Sequence, residues 1–311
     1  MTGFLDSLPP VRGKYVEGAP LKDITWLRVG GPADVLFLPA DEADLAQFLA
    51  GTSKHIPVHV LGAGSNTLVR DGGVPGVVVR LGPPFAKTEA LDGHRLRAGA
   101  GALDRMVAKA AAKAGLAGME YLIGVPGTIG GALRMNAGCY DQETADVLVE
   151  AVALDRSGRR IVATPDELAY SYRHCAAPED WIFVEAVFQG TPDEPAAIEA
   201  RMGEITARRE QTQPIREKTS GSTFANPDPP GTPDQRKSWQ LIDSVGGRGF
   251  SVGGARFSEQ HCNFLINDGS ATAADLEEVG ETVRARVRET HGVDLRWEVR
   301  RIGRTQEETP Q

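Results

Sequence analysis

The sequence predicts a protein of α/β or α+β class, built from layers of helix and sheet. Three short segments rich in Val, Leu and Ile end at Gly or Pro, as strands do: 34–40, 56–62 and 76–82. Two segments with apolar residues at helical spacing, 41–50 and 102–115, lie in the same part of the chain. Because helices and strands alternate here, a layered architecture is expected.

The chain has 311 residues, which is enough for two domains. Two further strands are predicted at 147–155 and 181–190, and the composition then becomes helical at 191–214, where Pro214 ends the helix. We therefore place the domain boundary near this change. The expected organisation is an N-terminal segment 1–24, a first domain 25–195 and a second domain 196–311.

The C-terminal part carries the clearest local pattern. Residues 271–292 predict an amphipathic helix, in which Thr272 and Asp275 form a capping pair and Gly292 ends the helix. The segment 294–302 that follows alternates as a strand does. One side of that strand would carry Leu295, Trp297 and Val299, and the other Arg296, Glu298 and Arg300.

The composition excludes several classes of partner. The chain is 41% hydrophobic and 24% charged, with a net charge of −8. Its pI is near 5.4 and its mean hydropathy is −0.25. An acidic globular protein lacks the basic face that nucleic acid or an anionic membrane requires, so we expect no binding to either. The partners should be small molecules or other proteins.

Neither a membrane anchor nor a disulfide framework is expected. The N-terminus has Asp6, Pro9 and Pro10 where a signal peptide needs an apolar run, and no uncharged stretch reaches about 18 residues. The three cysteines, Cys139, Cys175 and Cys262, are odd in number and widely spaced, which disfavours disulfides and a zinc site. A reducing cytoplasm fits this usage.

Three glycine clusters are candidates for ligand binding: VGGPAD (29–34), LGAGSN (61–66) and GVPGTIGGA (124–132). Glycine permits positive φ and lets a ligand approach backbone amides. A single cluster is more often a turn, whereas three beside apolar strands favour a site. The third cluster continues to residue 138, and from its composition it is either a tight structural corner or a loop that cradles a phosphate or a flat ring.

The usual nucleotide motifs are absent. In a Rossmann fingerprint, G-x-G-x-x-G follows the first strand and opens a helix, but Gly62-Ala63-Gly64 is followed by Ser65-Asn66-Thr67 with no third glycine. No G-x-x-x-x-G-K-[ST] sequence occurs, which excludes a standard P-loop. A dinucleotide would therefore need another mode of binding.

Two polar segments contain candidate catalytic residues. SGSTFANP (220–227) contains Ser222, which by itself is more simply a turn hydroxyl, and AYSYRHC (169–175) contains Arg173, which by itself is more simply a structural ion-pair partner. His261 and Cys262 beside the apolar FLIN segment indicate packing. No spacing of His, Glu or Asp suggests a metal site.

Taken together and in order, these segments resemble the UDP-N-acetylenolpyruvoylglucosamine reductases, flavoenzymes that make UDP-N-acetylmuramate for bacterial peptidoglycan. The similarity runs from Thr25-Trp26-Leu27-Arg28-Val29-Gly30-Gly31 to Glu298-Val299-Arg300, and G-[IV]-P-G-T-[IV]-G-G-A followed by N-A-G is its most specific motif. The resemblance implies an α+β protein: an FAD-binding domain of the vanillyl-alcohol-oxidase (PCMH) type, then a C-terminal α+β substrate-binding domain. Without an insertion for a tyrosine-bearing lid, the chain resembles the family's shorter form.

The resemblance implies a non-covalent FAD whose pyrophosphate lies on glycine-rich backbone, with Thr128 and Ile129 offering amides. The implied substrate contacts are Tyr172, Lys218 and Asn226, although Cys175 and Ala225 depart from the Ser and Lys that the family often has. The implied cofactor-binding residues are Gly62, Ala63, Gly64, Ser65, Asn66, Thr67, Gly124, Val125, Pro126, Gly127, Thr128, Gly130, Gly131, Ala132 and Asn136.

The resemblance also assigns catalytic roles to Arg173, Ser222 and Glu298, which match the family's Y-R, G-S-x-F and E-V-R motifs. Hydride from the reduced flavin N5 would add to the terminal carbon of the enolpyruvyl ether. Arg173 and Glu298 would stabilise the charge that develops on the substrate carboxylate, and Ser222 would protonate the adjacent carbon. Because no second dinucleotide motif exists, NADPH should use the substrate cleft, and ping-pong kinetics are expected.

Two other functions stay open at this point: an FAD-dependent sugar or lactone oxidase of the same fold, and a non-catalytic sensor of flavin or nucleotide sugar. For the reductase, the partners would be UDP-N-acetylglucosamine enolpyruvate and NADPH. We expect a cytoplasmic bacterial monomer that binds no metal.

Overall fold

The computed structural model describes residues 3–228 and 230–306. By internal contacts the chain divides into two compact units. Unit 1 comprises the described residues of Met1–Gly18, Val35–Ala63 and Gly76–Arg208, and unit 2 those of Ala19–Asp34, Gly64–Pro75 and Arg209–Gln311. Both units are therefore discontinuous in sequence. The predicted domains are continuous segments, and their boundaries stay a prediction.

The helices of the described residues include those predicted from apolar spacing. They are α1 (Glu42–Gly51), α2 (Asp104–Lys113), α3 (Ile129–Met135), α4 (Thr144–Val147), α5 (Pro165–Leu168), α6 (Pro195–Thr212), α7 (Ser238–Ser244) and α8 (Ala273–His291). The helices predicted at 41–50, 102–115, 191–214 and 271–292 are confirmed as α1, α2, α6 and α8.

The strands of unit 1 and of the segments that enter it are β1 (Lys14–Pro20), β2 (Pro32–Leu38), β3 (Val58–Val60), β5 (Val74–Val79), β6 (Thr88–Leu91), β7 (Arg95–Gly99), β8 (Leu116–Ala117), β9 (Gly138–Cys139), β10 (Gln142–Glu143), β11 (Leu148–Leu154), β12 (Arg160–Ala163), β13 (Ile182–Gln189) and β14 (Thr191–Pro192). Those of unit 2 are β4 (Thr67–Val69), β15 (Lys218–Ser222), β16 (Ser251–Val252), β17 (Ala255–Phe257), β18 (Phe264–Asn267) and β19 (Arg300–Ile302).

The largest sheet of unit 1 is antiparallel, with the order β12-β11-β13-β7-β6. Its register places four buried alanines side by side across neighbouring strands: Ala163, Ala151, Ala186 and Ala98. Small side chains leave room for a covering layer, and α3 packs on β13 and β7. The second sheet has the order β1-β2-β5-β3, in which β3 and β5 are parallel and a cluster of buried aromatics packs beside α1.

Unit 2 is built around α8, which packs on β16, β17, β18 and α7. The predicted cap is confirmed: the Asp275 N–H donates to Thr272 Oγ1 at 3.1 Å, and the Thr272 N–H donates to Asp275 Oδ2 at 2.8 Å. The carboxylate of Asp71 accepts from two further N–H groups of the first turn, at 3.0 Å each. Helix α8 ends at Gly292, with φ at +65°. The sheet beneath it has the order β15-β18-β17-β16.

The strand predicted at 294–302 is largely wrong, because only Arg300–Ile302 form a strand, β19, parallel to β4. The predicted alternation holds in part: Leu295 and Val299 are buried and Arg296 and Arg300 are exposed, whereas Trp297 and Glu298 are both half-buried. The backbone of the earlier part bonds to separate loops and not to one neighbouring strand: the Arg296 carbonyl accepts from Ala225, and the Glu298 N–H donates to Thr223. The alternating pattern therefore predicted the burial of Leu295 and Val299 correctly, but it did not predict which backbone groups the segment pairs with.

Among the described residues, no helix combines the length and the apolar character needed to cross a membrane. In the same part of the chain, no group of three or more His, Cys, Asp or Glu side chains could hold a metal ion. The three cysteines are free thiols.

Candidate active site

The glycine-rich stretch 124–138 lies in unit 1, where its middle is paired with the segment 100–104. The N–H groups of Ile129 and Gly130 donate to carbonyl oxygens of that segment, at 3.0 and 2.8 Å. The expectation that Ile129 offers its amide to a ligand is therefore wrong, because an intramolecular acceptor already uses it. The stretch therefore consists of a supported loop, 124–128, and helix α3, which follows it directly.

Sequence reasoning missed the partner segment, whose letters at 98–102 are A-G-A-G-A. A Cβ on Gly99 would lie 2.1 Å from the carbonyl oxygen of Phe85, so no other residue fits there. Alternating Gly and Ala gave a signal, because small residues permit another backbone to approach closely. The site-bearing loop is thus fixed by a second run of small residues about 25 positions earlier.

Two predicted cofactor-binding clusters meet in unit 1 at Gly62 and Thr128. A Cβ on Gly62 would lie 2.6 Å from Thr128 Oγ1, so the glycine allows this approach. Gly131 is exposed, and the nearest atom that its Cβ would meet is the same Oγ1, at 3.9 Å. The first turn of α3 therefore presents backbone without a side chain to solvent at Gly131, which fits a phosphate or a flat ring.

The other residues predicted to bind a cofactor lie in the same two loops. Gly64 belongs to unit 2, has φ at +65°, and would place a Cβ 2.6 Å from the Ile24 carbonyl oxygen. Gly124 packs closely on Cys139, because a Cβ on Gly124 would lie 2.8 Å from Cys139 Sγ. The remaining ones are buried (Ser65, Ala132) or half-buried (Ala63, Asn66, Thr67, Val125, Pro126, Gly127).

Asp104 is a fully buried carboxyl group beneath this loop. It begins α2, and its N–H donates to the Gly127 carbonyl oxygen at 3.2 Å. Within the described residues, neither carboxylate oxygen of Asp104 has a hydrogen-bond partner. Burial raises the pKa of Asp104 well above its ordinary value. Asp104 therefore keeps its proton to a higher pH than an ordinary aspartate does.

Arg173 lies in a tight turn of unit 1 between Ser171 and His174, whose backbone groups bond to each other at 3.1 and 3.0 Å. Its φ is +54°, in the left-handed region that few residues other than glycine adopt. Its Nη2 donates to the Gly138 carbonyl oxygen at 2.7 Å, and its guanidinium carbon lies 5.2 Å from the centroid of the Tyr172 ring. Both the backbone and the head group of Arg173 are thus held.

Asn136, also predicted to bind the cofactor, is fully buried after the last residue of α3. Its side-chain amide bonds to backbone groups of Ser171 and Ala145. The structure therefore brings Asn136 to the turn that carries Arg173. The sequence did not indicate this contact, because four strands, β9 to β12, and two short helices, α4 and α5, separate Asn136 from that turn.

Ser222 and Glu298 come together in unit 2 through Thr223. The Glu298 N–H donates to the Thr223 carbonyl oxygen at 2.8 Å, so the residue after Ser222 is bonded directly to Glu298. On the other side, Asn66 Nδ2 donates to the Glu298 carbonyl oxygen at 3.0 Å, and the Asn66 carbonyl oxygen accepts from the Arg300 N–H at 3.0 Å. Asn66, predicted only as a cofactor contact, is therefore also a backbone anchor of the glutamate.

Asn263 is a site residue that sequence reasoning missed. It is 4% exposed, and its side chain bonds twice to Phe224, accepting from the N–H at 3.0 Å and donating to the carbonyl at 2.8 Å. Its carbonyl oxygen accepts from the Thr223 N–H at 2.7 Å. Gly221, with φ at +80°, precedes Ser222. The serine thus lies between a glycine of positive φ and two residues, Thr223 and Phe224, that are hydrogen-bonded to Asn263.

Trp297 holds the glutamate segment to α8. A Cβ on Gly280 would lie 2.3 Å from the Trp297 ring, so the indole occupies the notch that this glycine leaves. Its Nε1 donates to Glu281 Oε1 at 2.8 Å, and the guanidinium carbon of Arg301 lies 4.4 Å from the ring centroid. The same Arg301 bonds to Glu281 at 2.9 Å. Burial opposes ionisation of Glu281, but the Trp297 hydrogen bond and the guanidinium groups of Arg284 and Arg301 outweigh it, so the pKa of Glu281 is lowered.

The predicted substrate contacts are on the surface of their own units. Lys218 is exposed at the start of β15, and Tyr172 is half-buried under Arg173. Asn226 Oδ1 accepts from the Ser238 N–H at 3.0 Å at the start of α7, so its side-chain oxygen has a structural partner. The two departures from the family pattern, Cys175 and Ala225, are both buried.

A surface cleft of about 640 Å³ also lies in unit 2. It contains the Arg256–Glu217 ion pair, with a nitrogen-to-oxygen distance of 3.1 Å, and extends along 210–217 and 256–260. None of the residues predicted for the cofactor, the substrate or catalysis lines it. The cleft therefore adds no member to the candidate site.

Comparisons with known proteins give a consistent result over the whole chain. A family model described as an FAD binding domain matches residues 33–164, and one described as the UDP-N-acetylenolpyruvoylglucosamine reductase C-terminal domain matches residues 213–302. The UDP-N-acetylenolpyruvoylglucosamine reductase of Maricaulis maris is 80% identical over 97% of this chain and 96% of its own length. That of Phenylobacterium zucineum is 62% identical over 96% of this chain and 98% of its own length.

A solved structure supports the same assignment. The crystal structure of the UDP-N-acetylenolpyruvylglucosamine reductase from Thermus caldophilus superposes with a TM-score of 0.79 and shares 35% sequence identity. The match covers 94% of this chain and 100% of that one. The predicted fold class, α+β with an FAD-binding domain followed by a second α+β domain, is confirmed. The chain belongs to the UDP-N-acetylenolpyruvoylglucosamine reductase family.

Proposed function

We propose that this protein reduces the enolpyruvyl ether of UDP-N-acetylglucosamine enolpyruvate to UDP-N-acetylmuramate for peptidoglycan synthesis, with FAD as its cofactor and NADPH as the reductant. The observation that carries this proposal is the backbone hydrogen bond in unit 2 from the Glu298 N–H to the carbonyl oxygen of Thr223, the residue after Ser222. Two residues far apart in sequence, each matched to a catalytic motif of the family, are held next to one another. Identity of 80% to a named reductase supports the same reaction.

The loops of unit 1 fit a non-covalent FAD. The contact between Gly62 and Thr128 and the open face of Gly131 leave backbone that a diphosphate can approach. When bound, FAD supplies the hydride that adds to the terminal carbon of the enolpyruvyl group. Because the sequence has no Rossmann fingerprint that would bind NADPH separately, we propose that NADPH and the sugar nucleotide bind in turn, which gives ping-pong kinetics.

Arg173 is proposed to stabilise the negative charge that develops on the substrate carboxylate. Its head group is fixed by the Gly138 carbonyl oxygen, so the cation would be oriented before the reaction begins. Glu298 would act as its proton-sharing partner towards that carboxylate. Tyr172, Lys218 and Asn226 are proposed as contacts to the rest of the substrate.

Ser222 is proposed as the proton donor to the carbon next to the ether oxygen. A hydroxyl is a weak acid at neutral pH, but the carbanion-like intermediate is a strong base, so position matters more than a tuned pKa. The bonds of Thr223 and Phe224 to Asn263 would supply that position. The hydride and this proton together complete the reduction of the double bond.

We also propose that the protein works in the cytoplasm as a monomer. Three free thiols suit a reducing compartment. Light scattering at several concentrations should give the mass of one 33.2 kDa chain. A mass of two chains at all concentrations would contradict the monomer.

The proposed function is tested by following flavin absorbance in two anaerobic steps. NADPH added to the FAD-loaded protein should bleach the flavin, and UDP-N-acetylglucosamine enolpyruvate added next should restore the colour. UDP-N-acetylglucosamine is the matched control, because it lacks the enolpyruvyl double bond and should restore nothing. Parallel initial-rate lines should accompany this result, whereas intersecting lines without substrate inhibition would contradict the ping-pong order.

Other outcomes of the same experiment identify the competing functions. Flavin that is reduced by a sugar or lactone and reoxidised rapidly by oxygen, without any need for NADPH, would identify an oxidase. Flavin that NADPH never bleaches would identify a non-catalytic sensor. Either result would refute the reductase proposal.

A further inference from the structure

We propose that Asn136 is a positioning residue for Arg173 and not a ligand of the cofactor. The inference rests on the proposed function in one respect only, the role of Arg173 towards the substrate carboxylate. It replaces the expectation that Asn136 contacts FAD. The contacts that support it all lie within unit 1.

The orientation of the Asn136 amide is fixed by its partners. Oδ1 accepts from the Ala145 N–H at 3.0 Å, so this end must be the oxygen. Nδ2 donates to the Ser171 carbonyl oxygen at 3.2 Å. The residue is 0% exposed. Both ends of the amide are therefore committed to backbone, and the side chain has no solvent-facing edge for a ligand.

The backbone of Asn136 explains why asparagine occupies this position. Its φ and ψ are +42° and +55°, the left-handed conformation that ends α3. Asparagine tolerates this conformation better than residues with branched or bulky side chains. Glycine would satisfy the backbone equally well, but it cannot make either side-chain bond. The asparagine therefore combines a helix end with a tether to a second loop.

The second loop needs a tether because Arg173 is itself left-handed. A non-glycine residue at φ of +54° is strained and persists only where its surroundings hold it. Within the turn, the Ser171 carbonyl oxygen accepts from the His174 N–H at 3.0 Å. Asn136 supplies a second donor to that same oxygen. Removal of this donor weakens the external support of the turn on the side that faces α3.

Neighbours of Asn136 in sequence hold the same loop on either side. Arg134 donates to the carbonyl oxygens of Ala177 and Trp181 at 3.0 and 2.7 Å, and the Gly138 carbonyl oxygen accepts from Arg173 at 2.7 Å. Residues 134, 136 and 138 thus form a bracket for the segment 171–181. Asn136 is its central member and contacts the start of the turn.

Asn136→Gly is the variant that isolates the side chain, because glycine retains the left-handed backbone. His94→Gly is the matched control: His94 has φ at +59°, is exposed, and lies in a different turn of unit 1. Both variants add the same backbone freedom to the unfolded chain. Differences between the two variants in exchange and in kinetics therefore report the loss of the two hydrogen bonds that the Asn136 side-chain amide makes.

We expect three results for Asn136→Gly. Hydrogen exchange at the Ser171 and His174 amides should accelerate at least tenfold relative to wild type and to His94→Gly. FAD occupancy and the rate of flavin reduction by NADPH should stay within twofold of wild type. Flavin reoxidation by the enolpyruvyl sugar nucleotide should slow at least tenfold, through kcat more than through KM.

A double-mutant cycle assigns the kinetic effect to Arg173. If Asn136 acts through Arg173, Asn136→Gly should slow reoxidation no further in an Arg173→Ala background. Full additivity of the two substitutions would overturn the inference. Loss of FAD from Asn136→Gly with unchanged exchange at residues 171–174 would also overturn it, because that pattern identifies a cofactor ligand.

The exchange measurement separates this inference from the proposed function. If wild-type protein is not reoxidised by the enolpyruvyl sugar nucleotide, the proposed function fails. Faster exchange at Ser171 and His174 in Asn136→Gly, with FAD retained, would still support the positioning role in that case. Unchanged exchange would refute that role, whatever reaction the protein catalyses.

Discussion

Arg173 in unit 1 and Glu298 in unit 2 are supported in different ways. The hydrogen bonds that hold the Arg173 turn come from Asn136 and Gly138, each 35 residues before its partner. The contacts that hold Glu298 come from Asn66 and Thr223, and the Asn66 bond spans 232 residues. The first arrangement is nearly local, whereas the second is assembled only when distant segments meet.

The difference shows which part of a site can be inferred from sequence. The segment 124–138 contains both the candidate ligand loop and the residues that hold the Arg173 turn, so its motif marks one side of these contacts, although it does not indicate the turn itself. Nothing in the sequence around Glu298 indicates that Asn66 and Thr223 are its hydrogen-bond partners. Loss of a single long-range contact should therefore disturb unit 2 more than an equivalent loss disturbs unit 1, which can be tested by substitution.

The largest expected effect is that of Ser222→Ala, in unit 2. Loss of a positioned proton donor should slow flavin reoxidation by about 10²- to 10⁴-fold and leave flavin reduction by NADPH nearly unchanged. Stopped-flow absorbance measures both steps. Ser220→Ala is the matched control, because Ser220 is buried two residues earlier. Equal effects of the two variants on reoxidation would mean that Ser222 is not the donor.

A second expected effect concerns the support of Glu298 by Trp297. Gly280→Ala places a Cβ 2.3 Å from the Trp297 ring and should lower the free energy of unfolding by about 1–3 kcal/mol through overpacking. Gly203→Ala in α6 is the control, because a Cβ there meets no atom within 4 Å. Urea denaturation gives both values. An unaltered midpoint of urea denaturation for Gly280→Ala would show that the Trp297 ring moves freely and does not hold the Glu298 segment to α8.

The third prediction concerns pH and Asp104 in unit 1. Burial raises its folded-state pKa, so between the unfolded pKa of about 4 and the raised value the folded state holds more protons than the unfolded state. The free energy of unfolding therefore falls with rising pH, by up to about 1.4 kcal/mol per pH unit. Asp104→Asn should remove this slope, so its stability relative to wild type should rise from pH 5 to pH 8.

Asp44 provides the control of opposite sign for that measurement. It is also buried, and burial opposes its ionisation, but three backbone N–H groups donate to its carboxylate and the net pKa is lowered. Its stabilising effect is present above the unfolded pKa and is lost as pH falls through the folded pKa. Asp44→Asn should therefore destabilise the protein at pH 7. Parallel pH profiles for the two variants would contradict both assignments.

The smallest effect on folding is expected for Gly131→Ala. Its Cβ would meet nothing closer than 3.9 Å, and alanine in a helix is favoured over glycine by roughly 0.5–1 kcal/mol, so stability should hold or rise slightly. FAD affinity should nevertheless fall, because the added methyl group stands on the open face of the loop. Flavin fluorescence titration of apoprotein measures this. Wild-type affinity would exclude this face as the diphosphate-binding surface.

The fold was largely predictable from local patterns. Apolar spacing, caps and glycine stops predicted α1, α2, α6 and α8, because these signals act within a few residues. The segment 294–302 failed for the opposite reason, since its pairing partners are separate loops and only β19 meets a regular strand. Alternation records which side chains are buried, and it does not record which backbone accepts their hydrogen bonds.

The sequence by itself determined the family, the glycine loops and the three candidate catalytic residues, because each is written in a contiguous motif. Only the tertiary structure decided that the Ile129 amide is used internally, that Asn136 bonds to the Arg173 turn, and that Asn66 bonds to Glu298. A motif fixes residue type and spacing along the chain. Hydrogen-bond partners across tens or hundreds of residues are fixed by packing, in which each polar group that is buried must find an acceptor or a donor.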